Sequence, residues 1–277
     1  MTPHIPERFM RRVRRHLVAA SCFPDHPLLM MIQGPPGDGK SYQLAQTLRE
    51  WQVALFVESG AQLSGRMEAA SLDKLRGLLE AVELYCEKNP GAWPAIVLED
   101  FDLSPAGQRD DVRYTVNSQL LTGALMNLAE GVPLHGSGRV PQRRIPIFIT
   151  GNDFSILHGP LMRPGRMDIF TWEPNAAERF AVIAALIRRH IPRADDGAIH
   201  KLLKAHPRAP VAAFSAAVRA CLADRALEYV TTTGSMDIEH LRHRFGDVAA
   251  LDLGLDEVAA ALEQSAEGPR SFLGGRR

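Results

Sequence analysis

The segment Gly34-Pro35-Pro36-Gly37-Asp38-Gly39-Lys40-Ser41 fits the pattern G-x-x-x-x-G-K-[ST] at every specified position. Few local structures satisfy that run. The glycines let backbone N–H groups turn inward and approach an anion closely. Lys40 sets a compact positive charge near the β and γ phosphates of a polyphosphate, and Ser41 offers a hydroxyl to Mg²⁺. A helix opening near Lys40 points the positive end of its dipole the same way. The flanks agree. Leu28-Leu29-Met30-Met31-Ile32 is an apolar run of strand length, and Leu44, Leu48 and Trp51 keep helical spacing behind the motif. The predicted nucleotide cradle is therefore Gly34, Pro35, Pro36, Gly37, Asp38, Gly39, Lys40, Ser41 and Tyr42.

Along the rest of the chain, short apolar runs alternate with helical patterns, as in a parallel sheet with crossover helices. Strands are predicted near 28–33, 53–57, 95–100, 145–150 and 168–172, and helices over 40–51, 71–88 and 114–130. The expected fold class is α/β: a P-loop NTPase with a parallel five-stranded sheet, followed by a smaller all-helical lid domain. An N-terminal linker helix is expected within 1–26, where Phe9, Val13 and Leu17 keep helical spacing in an Arg-rich stretch. The nucleotide-binding domain spans 27–172, the lid 173–264 and a flexible tail 265–277. Asn175 and Glu178 form an N-x-x-E start signal for the lid. Breaks follow at Pro192, at Pro207–Pro210 and at Gly234.

Composition narrows the function classes. The 277 residues carry 32 basic and 32 acidic side chains, without the basic excess usual in a dedicated nucleic-acid binder. Cys22, Cys86 and Cys221 are far apart and form no C-x-x-C, which fits a reducing compartment. No apolar run approaches the ~18 residues of a membrane span. The expectation is a cytoplasmic protein with no membrane or nucleic-acid partner. His135 and His158 lack partners at ligand spacing and are expected in loops.

Ala95-Ile96-Val97-Leu98 ends in Glu99-Asp100-Phe101-Asp102. A P-loop nucleotidase needs a carboxylate to orient Mg²⁺ and another to polarise the attacking water. Glu99 is assigned to the metal side with Ser41, Asp100 to water activation and the metal, and Asp102 to a supporting role. The apolar run 145–150 breaks into Gly151-Asn152-Asp153, which puts an amide, Asn152, where it could hold the water against the γ phosphate. Arg163-Pro164-Gly165-Arg166 then places two guanidinium groups on a rigid turn. Such groups stabilise charge on a transferring phosphoryl group, in cis or from a neighbour.

In this order the motifs resemble those of an AAA+ ATPase. Further blocks are similar to one branch, Rubisco activase: Phe9-Met10, Gly39 to Gln43, Tyr114-Thr115-Val116-Asn117-Ser118-Gln119, Ala124 to Ala129, and Ile149-Thr150-Gly151-Asn152-Asp153-Phe154-Ser155 through Arg166-Met167. The likeness runs from about residue 5 to 172, and faintly to about 230. It implies a homo-oligomeric, hexameric ring in which Arg163 and Arg166 act on the neighbour's nucleotide. It also implies ATP and Mg²⁺ as ligands, and a protein client, with Rubisco a candidate. By the same likeness Leu63, Gly65, Arg66 and Met67 fall at a first pore loop and Gln108 to Tyr114 at a second. Arg219 is the candidate second sensor, one place off the family's arginine. The chain departs from the branch in having roughly 26 residues before the first strand, where a substantial domain is usual, and no recognisable client-reading C-terminal segment.

The leading expectation is thus an ATP-hydrolysing remodelling motor. The alternative is a nucleotide-gated P-loop switch, a scaffold or DNA-linked loader with a different partner. A small-molecule kinase fits less well, because its assisting arginines sit in a lid over its own site, whereas Arg163 and Arg166 precede the final strand.

Overall fold

A computed structural model describes residues 4–60, 63, 70–101, 112–129, 143–154, 161, 163, 165–234, 237–246 and 253–266. The expected alternation is present. Helix α1 (Glu7–Cys22) precedes β1 (Leu29–Gln33), α2 (Lys40–Glu50), β2 (Ala54–Ser59) and α3 (Ala70–Lys88). Then come β3 (Pro94–Glu99), α4 (Val112–Ala129), β4 (Ile147–Gly151) and β5 (Met167–Thr171). The strands form one parallel sheet in the order β2-β3-β4-β1-β5. β1, β3 and β4 are almost wholly buried. That is why they read as continuous apolar runs rather than alternating ones: a parallel sheet is covered on both faces.

Register decides where each strand end lies. Leu29 stands opposite Ile147 on one side and Met167 on the other, and Gln33 opposite Gly151 and Thr171. Leu98 stands opposite Ile149. The carboxyl ends of β1, β3, β4 and β5 therefore share one edge of the sheet. The chain crosses over β1 between β4 and β5, so the crevice at the end of β1 is the place where open α/β sheets bind ligands.

Helix α1 is fastened to this sheet by the residues its spacing selected. Phe9, Val13 and Leu17 are fully buried. Phe9 packs against Phe170 and Trp172 at centroid distances of 5.6 and 5.0 Å. At ~1.5–3 kcal/mol for each large apolar side chain, burying these three contributes roughly 5–9 kcal/mol as an upper bound. Arg8 lies over the Trp172 ring, 4.8 Å from its centroid, and donates to the Glu173 carbonyl.

Contact density divides the chain into two compact units: Glu7–Glu173, and Pro174–Arg277 with Met1–Pro6. The second contains α5 (Ala176–His190), α6 (Asp196–Ala205), α7 (Val211–Thr233), α8 (Ile238–Gly246) and α9 (Leu255–Ala266). At the start of α5, the Glu178 N–H donates to Asn175 Oδ1 and the Asn175 N–H to Glu178 Oε2, both at 2.9 Å. This reciprocal pair satisfies two amide donors that the first helical turn leaves unbonded. Helix α7 ends at Gly234, whose φ of 67° is left-handed. The core of this helical unit packs Ile183, Ile187 and Ile199 with Phe214, Val218 and Val258. Arg225 of α7 pairs with Glu257 of α9 at 2.7 Å. No described helix is long and apolar enough to cross a membrane.

Leu63, aligned with a pore loop by resemblance, is fully buried in the sheet unit's core and is no exposed loop side chain. Gly65, Arg66, Met67, Asp102, residues 108–111, His135, His158, Pro164 and the tail from 267 lie outside the described residues.

Candidate nucleotide site

The Gly34–Ser41 loop leaves β1 at the carboxyl edge and runs into α2. Its glycines are required by geometry. At Gly34, φ is 153° and an added Cβ would stand 2.1 Å from the Trp172 carbonyl oxygen, because β5 runs directly alongside. Gly39, with φ 78°, is the N-cap of α2 and provides no side-chain cap. The helix N-terminus is thus open to an external anion. Pro35, Pro36 and Gly37 form the exposed apex, while Asp38 is buried beneath it. The Asp38 carbonyl accepts from Trp172 Nε1 (3.2 Å) and Gln43 Nε2 (3.1 Å), which pins the loop from below. Tyr42 is half exposed, at 50%.

Lys40 is only 6% exposed. Its ammonium donates to the carbonyls of Gly34 (2.7 Å) and Pro35 (2.8 Å) and to Asn152 Oδ1 (3.0 Å). An ammonium has three N–H donors and each finds an oxygen here. The charge itself meets only neutral oxygens in these contacts, so an anion would be a stronger partner. Asn152, predicted as the polar sensor, is thereby brought directly to the P-loop lysine.

Ser41 Oγ lies 3.0 Å from Thr150 Oγ1, and the Asp100 N–H donates to the same Thr150 oxygen at 3.4 Å. Thr150 is fully buried and links the tips of β3 and β4 to the start of α2. It was legible only as part of a similar block; the signal for a role is a hydroxyl at the inner end of an otherwise apolar strand.

The acidic pair stands at the same edge. Glu99 ends β3 half buried, and Asp100 follows it, exposed, with a left-handed φ of 49°. Burial pushes the Glu99 carboxyl above its usual range, and the neighbouring Asp100 charge adds to this. Two carboxylates crowded in this way are relieved by a cation, and hard oxygen donors of this kind suit Mg²⁺. Gly60 holds the turn from the β2 side. Its N–H donates to the Glu99 carbonyl at 2.6 Å, and a Cβ there would stand 2.3 Å from the Asp100 carbonyl oxygen.

Arg163 and Arg166 lie elsewhere. Arg163 is exposed and Arg166 half buried, in the turn that leads into β5. Since Met167 stands opposite Leu29, this turn is at the amino-terminal edge of the sheet. Five strand steps, about 16 Å, separate Leu29 from Gly34. Arg219 is exposed on α7 of the helical unit.

Residues 30–175 match the ATPase family associated with various cellular activities (AAA). Over 260 residues the chain is 31% identical to the ribulose bisphosphate carboxylase/oxygenase activase of Anabaena sp. (strain CA / ATCC 33047), covering 89% of this chain and 55% of that protein. The corresponding protein of Nostoc sp. (strain PCC 7120 / SAG 25.82 / UTEX 2576) is 34% identical over 200 residues, 69% of this chain and 46% of the relative. Activase B of Hordeum vulgare, a chloroplastic protein, is 30% identical over 252 residues, 89% and 53%. The chain spans about half the length of the curated relatives it matches.

Proposed function

This chain belongs to the AAA family of ATPases, and on that premise we propose that it hydrolyses ATP to ADP and phosphate with Mg²⁺, as a cytoplasmic subunit of a hexameric ring that remodels a protein client. Rubisco is the candidate client, on the strength of the names of the relatives. The observation that carries the reading is the convergence of Lys40, Ser41, Thr150, Asn152, Glu99 and Asp100 at one sheet edge, where β1 delivers the P-loop.

In this reading the amides from Gly34 to Tyr42 wrap the phosphates, and Lys40 exchanges its carbonyl partners for phosphate oxygens. Ser41, Glu99 and Asp100 would hold Mg²⁺, which would supply charge neutralisation at the phosphates. Thr150 is a positioning residue that aims Ser41. Asp100 and Asn152 orient and polarise the attacking water. Arg163 and Arg166 act on the nucleotide of the adjacent subunit, and Arg219 is the candidate second sensor.

The test is Mg²⁺-dependent phosphate release by the purified chain, with and without Rubisco. Lys40→Ala is expected to abolish it. A chain that binds ATP yet shows no turnover with any client would leave the nucleotide-switch reading standing instead.

A further inference from the structure

At the amino-terminal edge of the sheet, away from the P-loop, three side chains from three segments converge. His16 of α1, His26 of the loop before β1 and Asp168 of β5 each offer a ligand atom within 4.8 Å of the others. His16 is fully buried. Its Nε2 lies 3.3 Å from the Leu28 carbonyl oxygen. A carbonyl only accepts, so this contact puts the ring proton on Nε2 and leaves a lone pair on Nδ1. That Nδ1 has no hydrogen-bond partner. It faces Asp168 Oδ2 at 3.5 Å, an ion-pair distance too long for a good hydrogen bond. In the neutral ring of that tautomer, two lone-pair-bearing atoms stand 3.5 Å apart inside the protein.

The other groups are prepared in the same way. His26 Nδ1 lies 3.0 Å from the Pro27 carbonyl oxygen, which leaves its Nε2 as the lone-pair atom. Histidine ligands of metals characteristically fix their tautomer through a carbonyl or carboxylate on the other nitrogen. Arg12 bonds the opposite oxygen of Asp168, Oδ1, and so orients Oδ2 toward His16. A tetrahedral ion with bonds of about 2.0–2.1 Å holds its ligands about 3.4 Å apart, against 3.5 Å between His16 Nδ1 and Asp168 Oδ2. His26 also lines a groove of about 610 Å³ with Ala19, Phe23 and the arginines Arg11, Arg14 and Arg15.

We propose that His16 Nδ1, His26 Nε2 and Asp168 Oδ2 form a binding site for a zinc-class divalent cation, with a fourth position left to water. Two imidazoles and one carboxylate suit zinc or cobalt, whereas Mg²⁺ and Ca²⁺ prefer all-oxygen sites. The cation ties α1 and the loop behind it to β5, and its site is separate from the nucleotide edge.

The experiment uses the full chain without a histidine tag, titrated with Co²⁺ in the absence of nucleotide. The expected result is one equivalent bound with the intense visible absorption of tetrahedral cobalt, displaced by Zn²⁺. Loss of a partner of a ligand typically weakens metal binding ~10–100-fold, so loss of a ligand in His26→Ala is expected to weaken it by more than about 100-fold. His26 is only partly buried, so this variant is expected to fold, and circular dichroism checks that it does. Ser41→Ala leaves the spectrum unchanged. Failure to bind stoichiometric cobalt overturns the proposal. So does a cobalt spectrum that survives His26→Ala, or an NMR spectrum showing both His16 ring nitrogens protonated in protein supplied with Zn²⁺.

Discussion

The placement of Arg163 makes a quantitative prediction about subunit mixing. The turn carrying it enters β5 opposite the start of β1, and Gly34 lies five strand steps further on, about 16 Å away. An extended arginine reaches roughly 7 Å from its Cα by ordinary bond lengths. Arg163 therefore cannot serve the P-loop of its own chain with the sheet intact. If it serves a neighbour, Arg163→Ala removes a charge worth ~10³–10⁵ in rate, or about 4–7 kcal/mol of transition-state stabilisation. The variant keeps its own cradle, and Lys40→Ala keeps its own arginine. Each alone is expected to be inactive. In an equal mixture with random exchange, half the subunits keep Lys40 and half of those meet an intact arginine. Roughly a quarter of wild-type turnover should return. The assay is steady-state phosphate release, with subunit exchange followed by fluorescence transfer between labelled chains. Exchange without recovery, or full activity in Arg163→Ala alone, would refute the reasoning.

Two further outcomes test the site's construction. Gly34→Ala forces a Cβ to 2.1 Å from the Trp172 carbonyl oxygen at a φ of 153°; backbone strain of ~1–3 kcal/mol and overpacking of ~1–3 kcal/mol together predict a loss of roughly 2–6 kcal/mol in denaturant unfolding, and a loss under about 1 kcal/mol would show that the strand ends part freely. Glu99 has a raised carboxyl pKa in the folded chain, so between its unfolded value near 4.5 and the raised value the folded state binds more protons, and stability falls as pH rises through that window. Glu99→Gln should therefore melt higher than wild type at neutral pH while losing hydrolysis, with the gain shrinking as pH falls toward 4.5; a lower melting temperature at neutral pH would contradict it.

What could be read from the sequence was what depends on neighbours along the chain. The P-loop is eight consecutive residues, the buried strands are unbroken apolar runs, and the capping box needs only Asn175 and Glu178 three positions apart. Contacts made by strand register were not legible. Thr150 meets Ser41 because Ile32 stands opposite Thr150, and Gly34 must be glycine because β5 ends beside β1. Trp172 looked like the last residue of a strand, yet it carries Phe9 and Arg8 from α1 on its ring and the Asp38 carbonyl on its indole N–H. Leu63 shows the reverse case. The resemblance put it at a first pore loop, while its own side chain is apolar and is spent on the core.

The parallel sheet also constrains how such a protein can work. All five strands run one way, so loops that follow strands and turns that precede them fall on opposite edges. The P-loop and Asn152 follow strands, and Glu99 and Thr150 stand at the carboxyl ends of strands; Arg163 and Arg166 precede one. A single chain with this connectivity holds the gripping groups at one edge and the candidate triggering groups at the other, with about five residues of strand between them. No side-chain rearrangement closes that distance. A second copy with its amino-terminal edge against the first copy's carboxyl edge would close it, and such a head-to-tail contact gives a ring where its rotation closes and a filament where it does not. On the proposed assignment, assembly supplies the second half of each catalytic site, and turnover per subunit should rise with protein concentration through the range in which the ring forms.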